Sequence, residues 1–221
     1  MTLAPSPARV PASARLRQRP IIAVLRANAA TDYDPVVDVL AENGVRSIEL
    51  TLSTPGTFKH LPALLARVGA DVEVGIGTIV TVRQAELAIE AGAHYLVTPI
   101  VNLDVIALAV REGMPVFPGG LTPTELYGAW AAGATAVKIF PAETVGPQYG
   151  SHLRGPFPDL EFVPSGGIGL DDIPRWLQAG ALAVSLGGPL VGDALTGGSL
   201  PALAERAQRV TRLAADALAQ R

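Results

Sequence analysis

Two side chains in this sequence stand where their chemistry is costly unless it is used. Lys138 sits in the middle of an apolar run, Ala136 to Glu143, reading AVKIFPAE. Of the 17 lysines and arginines only Lys59 and Lys138 are lysines, so arginine is the chain's general source of positive charge. An amine can lose its proton when desolvated and then attack a carbonyl carbon, whereas a guanidinium stays charged at physiological pH. Val137, Ile139 and Phe140 supply that desolvation around Lys138. The second side chain is Glu49, in Ser47-Ile48-Glu49-Leu50-Thr51-Leu52. Read as a strand, this stretch turns Ile48, Leu50 and Leu52 toward helices and leaves Glu49 and Thr51 pointing inward. An inward carboxylate in an apolar interior needs a partner or a task. A structural ion pair of Glu49 with Lys138 or Arg26 is the competing explanation for both residues, because such pairs form without catalysis.

Further candidates stand at the ends of other apolar runs. Arg26 follows Ile22 and Val24 of the same parity and places a cation at the mouth. Gly75-Ile76-Gly77-Thr78 offers close backbone approach and the Thr78 hydroxyl. Thr98-Pro99 and Phe117-Pro118-Gly119-Gly120 read as shape, with Pro99 a wall of the pocket. Ser165-Gly166-Gly167 and Gly187-Gly188 expose backbone N–H groups near helix starts, the usual seat of a phosphate, although tight turns explain either pair separately. His60, His94 and His152 share no metal-ligand spacing, so neither a metal nor another cofactor is expected. No serine-hydrolase elbow and no P-loop occurs.

The elements that must carry these residues repeat along the chain. Eight apolar runs are read as strands: Ile21 to Arg26, Ser47 to Leu52, Val72 to Thr78, Tyr95 to Pro99, Pro115 to Gly119, Ala136 to Pro141, Glu161 to Gly167 and Ala183 to Gly188. Helical stretches lie between them, such as Pro35 to Glu42, Val82 to Ala91, Leu103 to Glu112, Pro123 to Ala132 and Asp171 to Ala179. Asn102, Thr122 and Asp171 are expected caps, and Gly44, Gly92, Gly113, Gly133 and Gly180 are expected stops. The alternation predicts an α/β fold, a (β/α)8 TIM barrel preceded by a short arginine-rich helix over Arg15 to Arg19. A doubly wound open sheet is the alternative, but no Gly-x-Gly-x-x-Gly follows the first run. Residues 1–14 read as a flexible N-terminal tail and 15–221 as one domain. Barrels work at the C-terminal ends of their strands, where these candidates stand.

With 49% hydrophobic and 17% charged residues and a mean hydropathy of +0.34, the 221-residue chain suits fully buried strands. A net charge of -3 and a pI near 5.6 leave no basic face for nucleic acid. There is no cysteine, which excludes disulfides and thiolate chemistry. No apolar run reaches membrane-spanning length and the first residues lack the apolar core of a signal peptide, so the cytoplasm is the expected location.

The sequence resembles the family of 2-keto-3-deoxy-6-phosphogluconate (KDPG) and 4-hydroxy-2-oxoglutarate (KHG) aldolases from Ile21 to about Ala194. The resemblance is carried by Ile48-Glu49-Leu50-Thr51, Gly75-Ile76-Gly77-Thr78, Val97-Thr98-Pro99, Pro118-Gly119, Lys138-Ile139-Phe140-Pro141-Ala142-Glu143, Gly155-Pro156-Phe157-Pro158 and Pro164-Ser165-Gly166-Gly167. It implies a class I aldolase without cofactor, cleaving a small 2-keto-3-deoxy sugar acid. KDPG would yield pyruvate and glyceraldehyde 3-phosphate, and 4-hydroxy-2-oxoglutarate would yield pyruvate and glyoxylate. It also implies that Lys138 forms the Schiff base, Glu49 shuttles protons, Thr78 helps hold the pyruvate carboxylate and Phe140 packs beside it. The glycines near 166 and 187 would take the distal phosphate, and the assembly would be a homotrimer. Two positions depart from the pattern. Thr51-Leu52-Ser53 stands where some members have Thr-Leu-Arg, and Gly187-Gly188-Pro189 lacks a serine that often follows the eighth strand's glycine. A sugar-phosphate isomerase or synthase without covalent chemistry and a non-catalytic sugar-acid binder are the rival functions; neither needs Lys138.

Overall fold

The computed structural model describes residues 9–220. Strands β1 (Ile21–Leu25), β2 (Ser47–Thr51) and β3 (Glu73–Gly77) are followed by shorter β4 (Leu96–Val97), β5 (Val116–Phe117), β6 (Gly119–Gly120), β7 (Val137–Ile139), β8 (Phe162–Pro164) and β9 (Val184–Leu186). Helices alternate with them: α1 (Ala14–Gln18), α2 (Tyr33–Glu42), α3 (Thr57–Val68), α4 (Val82–Glu90), α5 (Leu103–Arg111), α6 (Pro123–Ala131), α7 (Gln148–Arg154), α8 (Ile173–Gln178), α9 (Gly188–Val191) and α10 (Leu200–Ala219). Every strand pairing among the described residues is parallel. Six strands pair in the order β5-β4-β3-β2-β1-β9 and three in the order β6-β7-β8, with a parallel bridge between Ser165 and Ser185. The result is an α/β fold around a curled parallel sheet.

The fifth expected run is split. Pro118 has no N–H to give a ladder, so the run breaks there. Its first half pairs with β4 and its second half with β7, while the Pro118 carbonyl still accepts from Lys138 N at 2.8 Å. Local capping chemistry sets several helix starts. Asn102 accepts from Asp104 N and Val105 N, and Thr122 closes a capping box with Glu125. Asp171 does not cap: a 3-10 turn over Leu170–Asp172 precedes α8, and Asp171 pairs with Arg209 of α10 instead. Gly44, Gly92, Gly113, Gly133 and Gly180 all have positive φ, as helix stops require.

Two apolar clusters follow from the strand alternation. The larger lies between strands and helices and includes Ile48, Leu50, Ile76, Val137 and Ile139. The smaller fills the inward side: Ile22, Tyr95, Val97, Phe117, Ala136, Val163 and Ala183, closed by Ala12 and by Leu16 of α1. This floor holds the opposite end open for polar side chains. Of the tail expected over residues 1–14, residues 1–8 lie outside those described. From Arg9 on the chain is seated, since the Arg9 guanidinium lies 3.3 Å from the centroid of the Trp130 ring and donates to Trp130 O at 3.0 Å.

Candidate active site

Above that floor the inward positions of several strands converge on one cavity of about 250 Å³. Its lining contains Arg26, Glu49, Thr78, Pro99, Lys138, Phe140, Ser165, Gly166, Gly167, Gly187 and Gly188. The two catalytic candidates and these binding candidates therefore meet there, whereas Gly75, Gly77, Thr98, Gly119 and Gly120 do not line it. Val24, Thr51, Ile168, Ser185 and Pro189 complete the wall. Ser185 was not singled out from sequence, although it shares inward parity with Ala183 and Gly187; Ser165 Oγ donates to Ser185 Oγ at 3.3 Å. That parity was the available signal.

Lys138 lies mid-strand in β7, paired with Gly119 and Val163, and is 7% exposed. Glu49 in β2 is 2% exposed, and its Oε1 is 3.9 Å from Lys138 Nζ. This is an ionic approach longer than a hydrogen bond, so the carboxylate is not locked onto the amine. Room for it is made by Gly77, where an added Cβ would stand 1.9 Å from Glu49 Oε1. The Phe140 ring centroid is 5.2 Å from Lys138 Nζ, within cation–π reach, and the ring packs on Gly166.

Thr78 is the sole non-glycine residue with positive φ, +63°, among the described residues. Threonine holds such a backbone conformation at a cost of about 1 to 3 kcal/mol, which is met where the surrounding structure dictates it, often at a ligand. The end of β2 is braced from outside. Thr57 Oγ1 donates to Thr54 O at 2.8 Å and Ala27 N to Thr54 Oγ1 at 2.9 Å. The Tyr33 hydroxyl points to Thr51 O at 3.5 Å; burial pushes that phenol up, so it stays a donor. Ser53 turns to Thr51 Oγ1 at 2.9 Å and does not line the cavity. Arg26 is exposed at the mouth and takes part in no ion pair among the described residues. The backbone of Gly166 and Gly167 has φ of +91° and +73°, and Gly187 precedes α9. Two of the three histidines are used elsewhere: His60 Nε2 meets Asp34 Oδ1 at 2.6 Å and His94 Nδ1 accepts from Val74 N at 2.9 Å.

Comparison with known proteins agrees with this arrangement. Residues 12–200 match the family model described as KDPG and KHG aldolase. The chain is 33% identical over 172 residues to the 2-dehydro-3-deoxy-6-phosphogalactonate aldolase of Escherichia coli (strain K12), covering 77% of this chain and 84% of that one. A solved native KDPGal structure superposes with a TM-score of 0.84 at 30% identity, over 90% of this chain and 96% of the other. KDPG aldolase from Legionella pneumophila, solved with pyruvate captured as a covalent carbinolamine intermediate, superposes with a TM-score of 0.77 at 26% identity, over 92% and 96%. The chain thus belongs to the KDPG and KHG aldolase family, lyases that act as class I aldolases.

Proposed function

We propose that this protein cleaves a 2-keto-3-deoxy-6-phospho sugar acid to pyruvate and glyceraldehyde 3-phosphate, with Lys138 as the Schiff-base nucleophile and Glu49 as the proton carrier. The observation that carries this reading is the nearly buried amine and carboxylate, 3.9 Å apart, facing one cavity. The unprotonated amine attacks the C2 ketone to give a carbinolamine, which loses water to become an iminium ion. Glu49, within reach of both centres directly or through water, serves the proton transfers of that step and then removes the proton of the C4 hydroxyl. The C3–C4 bond breaks, its electron pair enters the iminium, and the aldehyde leaves. Protonation of the enamine at C3 and hydrolysis release pyruvate and the free amine.

Cleavage turns C4 into the trigonal carbon of an aldehyde, so epimers at C4 give the same two products. The phosphogluconate and phosphogalactonate acids named for the relatives are therefore both admissible substrates, and 4-hydroxy-2-oxoglutarate is a smaller one. A cleavage-rate screen across phosphorylated and non-phosphorylated 2-keto-3-deoxy acids tests this, and binding without cleavage of any of them refutes it. Arg26 and Thr78 hold the C1 carboxylate, Phe140 and Pro99 flank the pyruvate carbons, and the backbone near Ser165, Gly166, Gly167, Gly187 and Gly188 takes the phosphate. We also infer that residues 15–221 form one domain with a closed (β/α)8 barrel. The Ser165–Ser185 bridge and the single residue between β5 and β6 support that closure. A cytoplasmic homotrimer is part of the same reading, on the strength of the family likeness.

Two substitutions separate the ends of the ligand. Arg26→Ala should lower kcat/KM about 10- to 100-fold on every substrate, since each carries the carboxylate and a charged hydrogen bond is worth about 1.5 to 3 kcal/mol. Gly188→Ser adds a hydroxyl where a Cβ meets nothing within 4 Å, and should raise kcat/KM several-fold for phosphorylated acids alone. Steady-state kinetics on both substrate classes decides; an Arg26→Ala loss confined to phosphorylated acids would reverse the assignment. The gap at Gly77 gives a further test. Gly77→Ala should displace the Glu49 carboxylate and cost about 10²-fold in kcat per folded molecule, with melting followed alongside because the Cβ would also stand 2.6 Å from Glu49 Cγ.

A further inference from the structure

Beneath the amine and carboxylate lies a buried hydroxyl that the mechanism above does not use. Tyr95 is 2% exposed and, among the described residues, its hydroxyl donates no hydrogen bond and has only the Gly75 backbone close to it. Buried polar groups nearly always have a hydrogen-bond partner, so this exception calls for a reason. Tyr95 shares inward parity with Val97 and Pro99 and stands two layers below the mouth. Its ring covers Gly75, where an added Cβ would be 2.2 Å from Cε2 and 2.6 Å from Cζ. Gly75 pairs in register with Glu49, and the next inward position, Gly77, is the one the Glu49 carboxylate occupies. Two positions without side chains on one strand thus stack the phenol one layer under the carboxylate. Phe117 meets the ring edge-on, with centroids 5.6 Å apart, which holds it in place.

The charged and titratable groups around this phenol are Glu49 from β2, Glu73 from β3, the adjoining His94, and Arg15 of α1 across the lower cavity; β5 presents Phe117. Glu73 already has a donor, Ser47 Oγ at 2.5 Å. Among the described residues Glu49 faces the Lys138 amine, at 3.9 Å, and no nearer donor. A donor without an acceptor and a carboxylate short of a donor therefore share adjacent layers. Burial, then the charges of Glu73 and Glu49, push the Tyr95 phenol well up against a smaller opposing pull from the Gly75 backbone, so it keeps its proton at neutral pH.

We propose that Tyr95 is a positioning residue for the cleavage reaction, its hydroxyl donating to the Glu49 carboxylate from below and so keeping it charged and aimed at the substrate. This rests on the assignment of Glu49 as proton carrier. Tyr95→Phe deletes the oxygen and keeps the ring. The variant should still form the pyruvate adduct on Lys138 under borohydride, with kcat lowered about tenfold and KM nearly unchanged. Its acid limb in kcat/KM against pH should move up, because a carboxylate that has lost a donor takes up a proton more readily. A second readout needs no change at Tyr95. In protein labelled with carbon-13 at tyrosine Cζ, the Tyr95 resonance should step with pH at the midpoint of that limb, and the step should vanish in Glu49→Gln. An unshifted profile for Tyr95→Phe overturns the proposal and leaves Lys138 and Glu49 in their roles. Should that variant fail to fold, a flat Tyr95 resonance in the parent overturns it equally. Full cleavage by Glu49→Gln, or no adduct in the parent, would bring down the underlying reading and this proposal with it.

Discussion

The Lys138→Arg variant is expected to fold, to bind the sugar acid and to cleave none of it. The guanidinium keeps a positive charge near Glu49 and can still lie against the Phe140 ring, so packing and electrostatics of the pocket survive. What is lost is the lone pair. A guanidinium cannot release its proton at physiological pH and so cannot add to the C2 ketone. Removing a covalent nucleophile should lower kcat by roughly 10⁴-fold or more. Borohydride reduction with pyruvate should leave one adduct per parent chain, on Lys138, and none on the arginine variant. Lys59, the other lysine, is exposed on α3 outside the cavity and should remain unmodified. Peptide mass spectrometry decides the point. An active arginine variant, or an adduct on Lys59, would end the covalent mechanism at Lys138.

Glu49→Gln should lower kcat by roughly 10² to 10⁴, the usual worth of a positioned general acid–base group. Glutamine has nearly the same volume and fills the same gap over Gly77, so the pocket keeps its shape. It cannot carry a proton between the C4 hydroxyl and the carbinolamine. Pyruvate should still be trapped on Lys138, more slowly, and KM should change less than kcat. The change also removes one partner of a buried pair, so thermal melting has to be followed alongside the kinetics. Lower melting with an unaltered rate per folded molecule would make Glu49 a structural partner of Lys138 and nothing more.

The site was legible in the sequence because strand chemistry is local. Alternation along Ser47 to Leu52 turns Glu49 and Thr51 to one side, and the same parity sends Lys138 and Phe140 inward from β7. Asn102 and Thr122 cap their helices through bonds to residues two or three positions on, and glycines with positive φ end them, so boundaries at these places follow from neighbouring residues. Asp171 shows the limit of that reasoning. It has the right chemistry for a cap, but Arg209 of α10, 38 residues away, claims its carboxylate. The change of partners at Pro118 is of the same kind: the missing N–H is written in the sequence, whereas the strands on either side are chosen by the curled sheet.

By itself, then, the sequence determined the alternating elements, the inward columns of side chains and the chemistry that Lys138 and Glu49 can perform, since these depend on backbone periodicity over a few residues and on functional groups. Only the tertiary structure decided that Glu49 lies 3.9 Å from Lys138 across 89 positions of chain, that Gly77 gives it space, that Tyr95 fills the gap over Gly75 and that Ser185 joins the wall. The physical reason is that an enclosed interior is shared. Each inward side chain takes the volume its neighbours on other strands leave, and that volume exists only when strands distant in sequence have come into register.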